Sequence, residues 1–503
     1  MGIVFRQSAK NAIVVAMGAL LGALVIWLST AYNTKQQLGF TRNLVNYALT
    51  LSQLLILGLH STLVVFIHKY ADNERKRKLL ISLAVFIPTA AVVVFTVAYA
   101  ACKTWIIKHF QPDDIPFMER YFMWLPVFTL LFVYMLVFEQ YLGSQLKVAV
   151  SAFMREVVLR VANIILLLLF GFGYVNFDVL VIGTVLIYLL PVSLFLILSF
   201  KIKEFGFSFD VWSFSKQEFK EIIHFSWYHF LLSISFLMMS YMDALTLPFY
   251  DHSGFSSLAV YGVAVFLISF MQLPSKALVP ASFTILAKAF NDNDMVKAKD
   301  IFVRASNNIL IPSVAMALIL ICNLNNAVAV IKNGYGEIAP VFLILFVGRL
   351  LDVATGMNDQ VLSIARYYKF NFYLSFILIV FLYLMIRLLV PQYGIYGAAW
   401  STTITLVVFN LAKFLFVWKK LEMQPFSTNT LLVLVAAVPA FAAGYYFPHF
   451  FDQAHHVYVR SFADAALRSL AIVIVYTVML LWLKPSGDLQ EYISTIRKDK
   501  RLF

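Results

Sequence analysis

Charged residues are scarce in this 503-residue chain: Asp, Glu, Lys and Arg make up 13% of it, whereas apolar residues make up 61%. A soluble globular protein has roughly a quarter charged and about half apolar residues. With 48 phenylalanines in addition, the apolar residues would need an implausibly large soluble core. The composition therefore excludes a soluble enzyme and a disordered chain, and it indicates a protein that crosses a membrane many times.

Cysteine and catalytic motifs are also lacking. Two cysteines, Cys102 and Cys322, cannot build a disulfide framework. The sequence contains no glycine-rich nucleotide loop, no metal-ligand spacing and no catalytic acidic pair, so we predict neither an enzyme nor a bound cofactor or metal, and direct use of ATP is not expected. The net charge of +13 predicts basic cytoplasmic loops facing anionic lipids, and no nucleic acid.

Long apolar runs dominate what is present. A span needs about 20 mostly apolar residues. Fourteen runs qualify, with approximate limits 11–31, 43–68, 79–101, 121–142, 152–172, 178–200, 223–247, 256–285, 305–322, 338–364, 370–390, 394–417, 429–447 and 464–483. If the N-terminus is cytoplasmic, the inner segments hold 27 Lys and Arg and the outer segments 9. This bias predicts an all-α polytopic membrane protein of about 14 helices with both termini in the cytoplasm.

An internal repeat divides the chain. Residues 126–133 read PVFTLLFV and residues 340–347 read PVFLILFV, with six of eight positions identical. A weaker match pairs KYADNERKRK at 69–78 with AFNDNDMVKAK at 289–299. Both matches place span n against span n+6, which predicts two six-helix halves of the same orientation.

The predicted domains follow from this repeat. They are an N-lobe of spans 1–6 at 1–205, a cytoplasmic interfacial linker at 206–222, a C-lobe of spans 7–12 at 223–420, and spans 13–14 with a basic cytoplasmic tail at 421–503.

Four segments carry a family resemblance. They are GIVFRQSAKN (2–11), MDALTLPFY and its continuation to MQLPSKALVPA (242–281), RLLDVATGMNDQVL (349–362) and YGIYGAAWSTTITLVVFNLAKF (393–414). In order and spacing they resemble the Wzx-type lipid-linked oligosaccharide flippases, of the Bacteroidetes style, in the multidrug/oligosaccharidyl-lipid/polysaccharide (MOP) exporter superfamily. The resemblance covers nearly the whole chain.

The resemblance implies a fold and a function. The fold is two six-helix, MATE/MOP-like lobes around a central cavity, with two additional C-terminal helices. The activity is the flipping of an undecaprenyl-pyrophosphate-linked oligosaccharide across the bacterial inner membrane by alternating access, for surface polysaccharide or lipopolysaccharide (O-antigen) biosynthesis. The implied partners are this lipid-linked glycan, membrane lipids, a coupling H⁺ or Na⁺, and the polysaccharide assembly machinery.

Basic residues within or next to the spans are candidates for headgroup binding. A pyrophosphate needs cations once water is removed from it, and a charge inside a membrane needs a cavity or a partner. The candidates are Lys276, Arg349, Arg155, Arg160 and Arg42. Arg42 begins span two at its outer end, where it would receive the headgroup in the outward state. The alternative for Lys276 and Arg155 is a long side chain that reaches an interface.

Three acidic residues are candidates for ion coupling or gating: Asp243, Asp352 and Glu156. Asp352 follows Arg349 by three residues and Glu156 precedes Arg160 by four, so both acids can form a self-neutralised structural pair instead. Asp243 has no basic neighbour within one helical turn. It is therefore protonated, paired across helices, or a coupling-ion site.

Two other functions remain open. An ion-coupled multidrug exporter of the same superfamily predicts twelve spans and acidic cation-binding residues, which the fourteen spans and the basic in-span residues disfavour. A membrane polysaccharide polymerase or ligase would need a large outer loop, but the longest outer segment has roughly 20 residues.

Overall fold

Helices make up the regular structure of the described chain. The computed structural model describes residues 2–145, 148–331, 334–365, 367–448 and 457–485. The helices of the first half are α1 (Gly2–Tyr32), α2 (Lys35–Leu55), α3 (Leu59–Lys69), α4 (Glu74–Ala101), α5 (Lys103–Ile107), α6 (Ile115–Tyr121), α7 (Trp124–Ser144), α8 (Val148–Phe153), α9 (Leu159–Gly171), α10 (Phe177–Leu186), α11 (Leu189–Phe200) and α12 (Lys216–Tyr250). Those of the second half are α13 (Gly254–Ser269), α14 (Leu273–Asn291), α15 (Met295–Cys322), α16 (Leu324–Ala329), α17 (Ile338–Ala354), α18 (Asn358–Ile364), α19 (Tyr368–Leu421), α20 (Thr428–Tyr445) and α21 (Val457–Leu483). The predicted basic tail lies outside the described residues from 486 onward.

The helices agree with the predicted spans. Within the described chain, eight helices are long and apolar enough to cross a membrane, or up to 11 spans if each of three bent helix pairs counts as one. The other predicted spans fall on α1, on α9 with the π turn before it, and on the second half of α19. α19 contains a non-helical residue at Gly394, with φ 54° and ψ −133°, and this break separates the predicted spans 370–390 and 394–417. The described helices are therefore consistent with fourteen spans.

The chain forms two compact units, 1–259 and 260–503. The core of the first unit packs α2, α3, α4, α7 and α11 around fully buried residues such as Phe128 and Leu142. The core of the second packs α14, α15, α18, α20 and α21 around residues such as Phe302 and Ile472. In this division α12 lies in the first unit, whereas the sequence places it in the C-lobe. The predicted lobe boundaries stay a prediction.

The predicted repeat corresponds to matching local structure in the two units. Pro126 is the third residue of α7 and Pro340 the third residue of α17. Phe128 and Phe342, two residues later, are both fully buried. A proline is tolerated in the first helical turn because the amide group that it lacks has no intrahelical partner there. Both copies therefore use the proline to begin a core helix.

The weaker sequence match also has a structural counterpart. Asn73 caps α4 by accepting a hydrogen bond from the backbone of Lys76 at 3.1 Å. Asp294 caps α15 by accepting one from the backbone of Lys297 at 2.9 Å. The same type of cap precedes the third span of each half, α4 in the first and α15 in the second, and this supports the duplication.

Ion pairs attach α12 to the turn between α3 and α4. Lys69 contacts Glu221 and Lys76 contacts Glu218, each at 2.7 Å. The hydrogen bond from Lys76 lowers the pKa of the Glu218 carboxyl, which also closes the capping box of α12 with Ser215. The linker residues from 216 onward are thus the first turns of α12, and these turns are fixed to the first unit.

Asp114 fixes the opposite end of the α12–α13 hairpin. Its side chain is 1% exposed and accepts hydrogen bonds from the backbone of Phe255 at 2.8 Å and from Gln36 at 3.1 Å. Burial raises the pKa of this carboxyl, although both hydrogen bonds act in the other direction. The desolvation cost offsets part of what the hydrogen bonds contribute, so the net stabilisation is modest.

We expect Asp114→Ala to lower the melting temperature of the detergent-solubilised protein by about 2 °C, because it removes about 1 kcal/mol of net hydrogen bonding. Asp113→Ala is the matched control, since Asp113 is exposed and contributes only its backbone carbonyl, which accepts a hydrogen bond from Gln36 at 2.6 Å. Equal melting temperatures for the two variants would contradict this role of Asp114.

Candidate functional site

Lys276 lies near the start of α14. A 3-10 turn, Phe270–Gln272, leads directly into this helix, and Pro274 occupies its first turn. Lys276 is exposed and, among the described residues, has no hydrogen-bond or ion-pair partner. Gln272, the last residue of the 3-10 turn, precedes Lys276 by four residues.

Asp352 on α17 accepts hydrogen bonds from three side chains, which we call the Asp352 cluster. Gln272 donates to Oδ2 at 3.3 Å, and Asn410 on α19 donates to Oδ1 at 3.1 Å. Arg349 approaches Oδ2 through Nη1 at 3.5 Å, the limit of a hydrogen bond. The predicted pair of Arg349 and Asp352 is present, but it is long and single.

The span that carries Asp352 is broken. α17 and α18 meet at an angle of 43°, and Gly356 in the break has φ +66°, a conformation that favours glycine. Thr355 lies in the break. Its hydroxyl is 3.2 Å from Asn410 Oδ1 and 3.0 Å from the carbonyl oxygen of Asp352, and both oxygens are acceptors for its proton. The break thus positions Thr355 to fix the orientation of Asn410.

A second ion pair lies beyond the break. Lys413 on α19 contacts Asp359 on α18 at 3.0 Å, and its ammonium lies 3.6 Å from the centre of the Phe409 ring. The Lys413 side chain is 2% exposed, whereas that of Asp359 is 47% exposed. The carboxylate and the ring both compensate the buried charge.

The first unit has its own charged cluster on a π turn, Met154–Val158. Arg155 donates to Glu139 at 2.8 Å and approaches Glu156 at 3.3 Å. Arg160 contacts Glu156 at 2.6 Å and also donates to the backbone carbonyl of Gly18 on α1. We call these residues the Glu156 cluster. Two arginines and two glutamates neutralise each other here.

The remaining candidates lie elsewhere in the first unit. Arg42 is half-buried on α2. Asp243 is 8% exposed in α12, and its Oδ1 accepts a hydrogen bond from the backbone of Ala244 at 2.7 Å. Neither residue belongs to the Glu156 cluster.

The two clusters differ in how much positive charge they leave uncompensated. Arg155 and Arg160 both have carboxylates at ordinary ion-pair distances. Arg349 shares its one carboxylate with two amide donors, and Lys276 has no partner in the described chain. An anion would therefore be attracted to Lys276 and Arg349 more strongly than to the arginines of the Glu156 cluster.

Sequence reasoning missed Gln272, Asn410 and Glu139 as partners, and it did not single out Lys413. Asn410 offers a usable signal, because an amide within an apolar span is expected to be hydrogen-bonded to another helix. For Lys413 the signal misleads, because a lysine near the end of a predicted span looks like an interfacial residue. Contacts between distant helices cannot be identified by spacing along the chain.

Solved transporters share this fold. The chain is similar to a structure described as the lipid II flippase MurJ in an inward closed conformation, with a TM-score of 0.74 and 13% identity over 94% of this chain and 98% of that one. It is also similar to an inward-facing MATE family multidrug transporter of the MOP superfamily, with a TM-score of 0.65, 15% identity, and 82% and 94% of the chains covered. A MOP superfamily transporter from Pyrococcus furiosus gives a TM-score of 0.55, 15% identity, and coverage of 83% and 95%.

These likenesses confirm the predicted fold class, an all-α MATE/MOP-like architecture. At such low identities they establish the fold and leave the function to be argued from the site. No protein family model and no curated protein matches the sequence.

Gly356→Ala is expected to destabilise the protein by about 1–3 kcal/mol, from the positive φ together with overpacking. An alanine Cβ at this position would lie 2.6 Å from the Cβ of Ser306. Thermal unfolding should show a smaller loss for Gly356→Ala when Ser306→Gly is already present. Gly143→Ala is the control, because in the described chain the added Cβ would meet no atom within 4 Å other than those of its chain neighbours and its own helix backbone. An equal loss in both backgrounds would contradict the contact with Ser306.

Proposed function

We propose that this protein flips an undecaprenyl-pyrophosphate-linked oligosaccharide across the bacterial inner membrane, for surface polysaccharide or lipopolysaccharide assembly. The substrate's headgroup is a pyrophosphate, and its attraction to the protein comes from cations that lack full compensation. The lobes at 1–205 and 223–420 alternate access to the two faces, and spans 13 and 14 accompany the lipid chain. Both termini are cytoplasmic in this proposal.

The proposal rests on the incomplete charge compensation of Lys276 and Arg349. Lys276 is exposed without a carboxylate partner in the described chain, and Arg349 reaches Asp352 only at 3.5 Å. A transporter for organic cations would need the opposite sign of charge. The Glu156 cluster, with Arg155 and Arg160, is a structural pairing in this scheme, and Arg42 receives the headgroup at the outer side.

A proton or sodium gradient supplies the driving force in this proposal. Of the three candidate carboxylates, Glu156 and Asp352 each contact an arginine. We assign the coupling ion to Asp243, because it is buried in α12 and burial makes the charge of a carboxylate costly unless a proton or a cation compensates it.

We predict that Lys276→Gln/Arg349→Gln slows glycolipid flipping in proteoliposomes by about 100-fold or more, since two charge-assisted hydrogen bonds of about 1.5–3 kcal/mol each are lost. The measurement follows a labelled polyprenyl-pyrophosphate oligosaccharide, with and without a proton or sodium gradient. A polyprenyl monophosphate and a cationic dye serve as substrate controls.

Lys297→Gln/Lys299→Gln is the matched control variant. It removes two charges from exposed positions of α15 in the same unit and should leave flipping unchanged. The proposal fails if both double variants flip the glycolipid at the wild-type rate. Transport of the dye without transport of the glycolipid would favour a multidrug exporter instead.

A further inference from the structure

Two amide side chains in the Asp352 cluster have no part in the headgroup site as proposed above. We infer that Asn410, assisted by Gln272, is a positioning residue that prevents Asp352 from neutralising Arg349. The inference rests on the proposed function, because it explains how Arg349 keeps its charge available to a pyrophosphate.

Competition for the carboxylate is the first step of the argument. Arginine and a carboxylate pair most strongly through two parallel hydrogen bonds of about 2.7–2.9 Å, which require both carboxylate oxygens. In Asp352 the amide of Asn410 engages Oδ1 at 3.1 Å, and that of Gln272 engages Oδ2 at 3.3 Å. Arg349 makes one contact with Asp352, at 3.5 Å, on the same Oδ2 that accepts from Gln272.

The orientation of Asn410 is fixed by its surroundings. A carboxylate only accepts hydrogen bonds, so the Asn410 atom that faces Asp352 is its NH₂ group. The same group donates to the carbonyl of Leu406 at 3.0 Å, and the Asn410 oxygen lies 3.2 Å from the Thr355 hydroxyl. Asn410 is 2% exposed, so bulk water cannot take its place.

The inference predicts that removal of the Asn410 amide releases Oδ1 and lets Asp352 close on Arg349. Equilibrium binding of a polyprenyl pyrophosphate to the full-length protein in nanodiscs should then weaken by about tenfold for Asn410→Ala, the equivalent of one charge-assisted hydrogen bond. Asn410→Ala/Asp352→Asn should bind as well as the wild type, because no carboxylate remains to capture Arg349. A purely structural role for Asn410 would give no such rescue.

Asn307→Ala is the matched control. Asn307 is 3% exposed, lies in the same unit and hydrogen-bonds to Ser427 at 3.0 Å and Thr430 at 2.7 Å, but it is no part of the Asp352 cluster. Its loss should lower stability without changing affinity for pyrophosphate. If Asn410→Ala does not fold, Gln272→Ala tests the same competition from a partly exposed position.

The Arg349→Ala variant separates the two possible failures. If Arg349→Ala binds the polyprenyl pyrophosphate as tightly as the wild type, both the proposed headgroup site and this inference are overturned. If Arg349→Ala weakens binding while Asn410→Ala behaves like Asn307→Ala, or if Asp352→Asn gives no rescue, only the inference is overturned.

Discussion

A partly buried carboxylate is stabilised by hydrogen-bond donors, and Asp352, whose side chain is 26% exposed, accepts from donors on three elements. Its oxygens accept from Gln272 before α14, from Arg349 on its own helix and from Asn410 on α19. The loss of one partner of such a group costs more than the bond itself, because it leaves the carboxylate unsatisfied. The requirement to satisfy Asp352 therefore holds α17 and α19 in one arrangement, next to the break at Gly356.

The same requirement explains the other charges within the helical units. Arg468 and Asp464 pair within α21, Lys413 pairs with Asp359, and the Glu156 cluster neutralises itself on a π turn. Each of these pairs compensates its cation completely enough that an incoming anion would have to break an existing contact. Against this background the long contact of Arg349 and the unpartnered state of Lys276 in the described chain are exceptions.

Sequence patterns predicted the features that depend on length and on nearest neighbours. Span limits follow from apolar run length, and the repeat at 126–133 and 340–347 follows from identical residues that begin equivalent core helices. The pair of Arg349 and Asp352 follows from helical spacing. Its weakness could not be predicted, because Asn410 and Gln272 come from positions 58 and 80 residues away. The burial of Lys413 was missed for the same reason, since its partners lie on other turns and another helix.

A carrier must bind its substrate strongly enough to collect it and weakly enough to release it, and in the proposed flippase the Asp352 cluster would balance the two. A fully free arginine would hold a pyrophosphate tightly, and an arginine closed on its carboxylate would not attract one. At 3.5 Å, Asp352 weakens the electric field of Arg349 without abolishing it. In the proposed cycle, Asp352 is close enough to pair with the guanidinium again after the phosphate has left. In the first unit, Glu139 and Glu156 hold their arginines at 2.6–2.8 Å, so that cluster favours structure over exchange. The two units thus differ in the electrostatics of their charged clusters while keeping the same local helix starts, and the proposed capture of the anion would depend on the second unit.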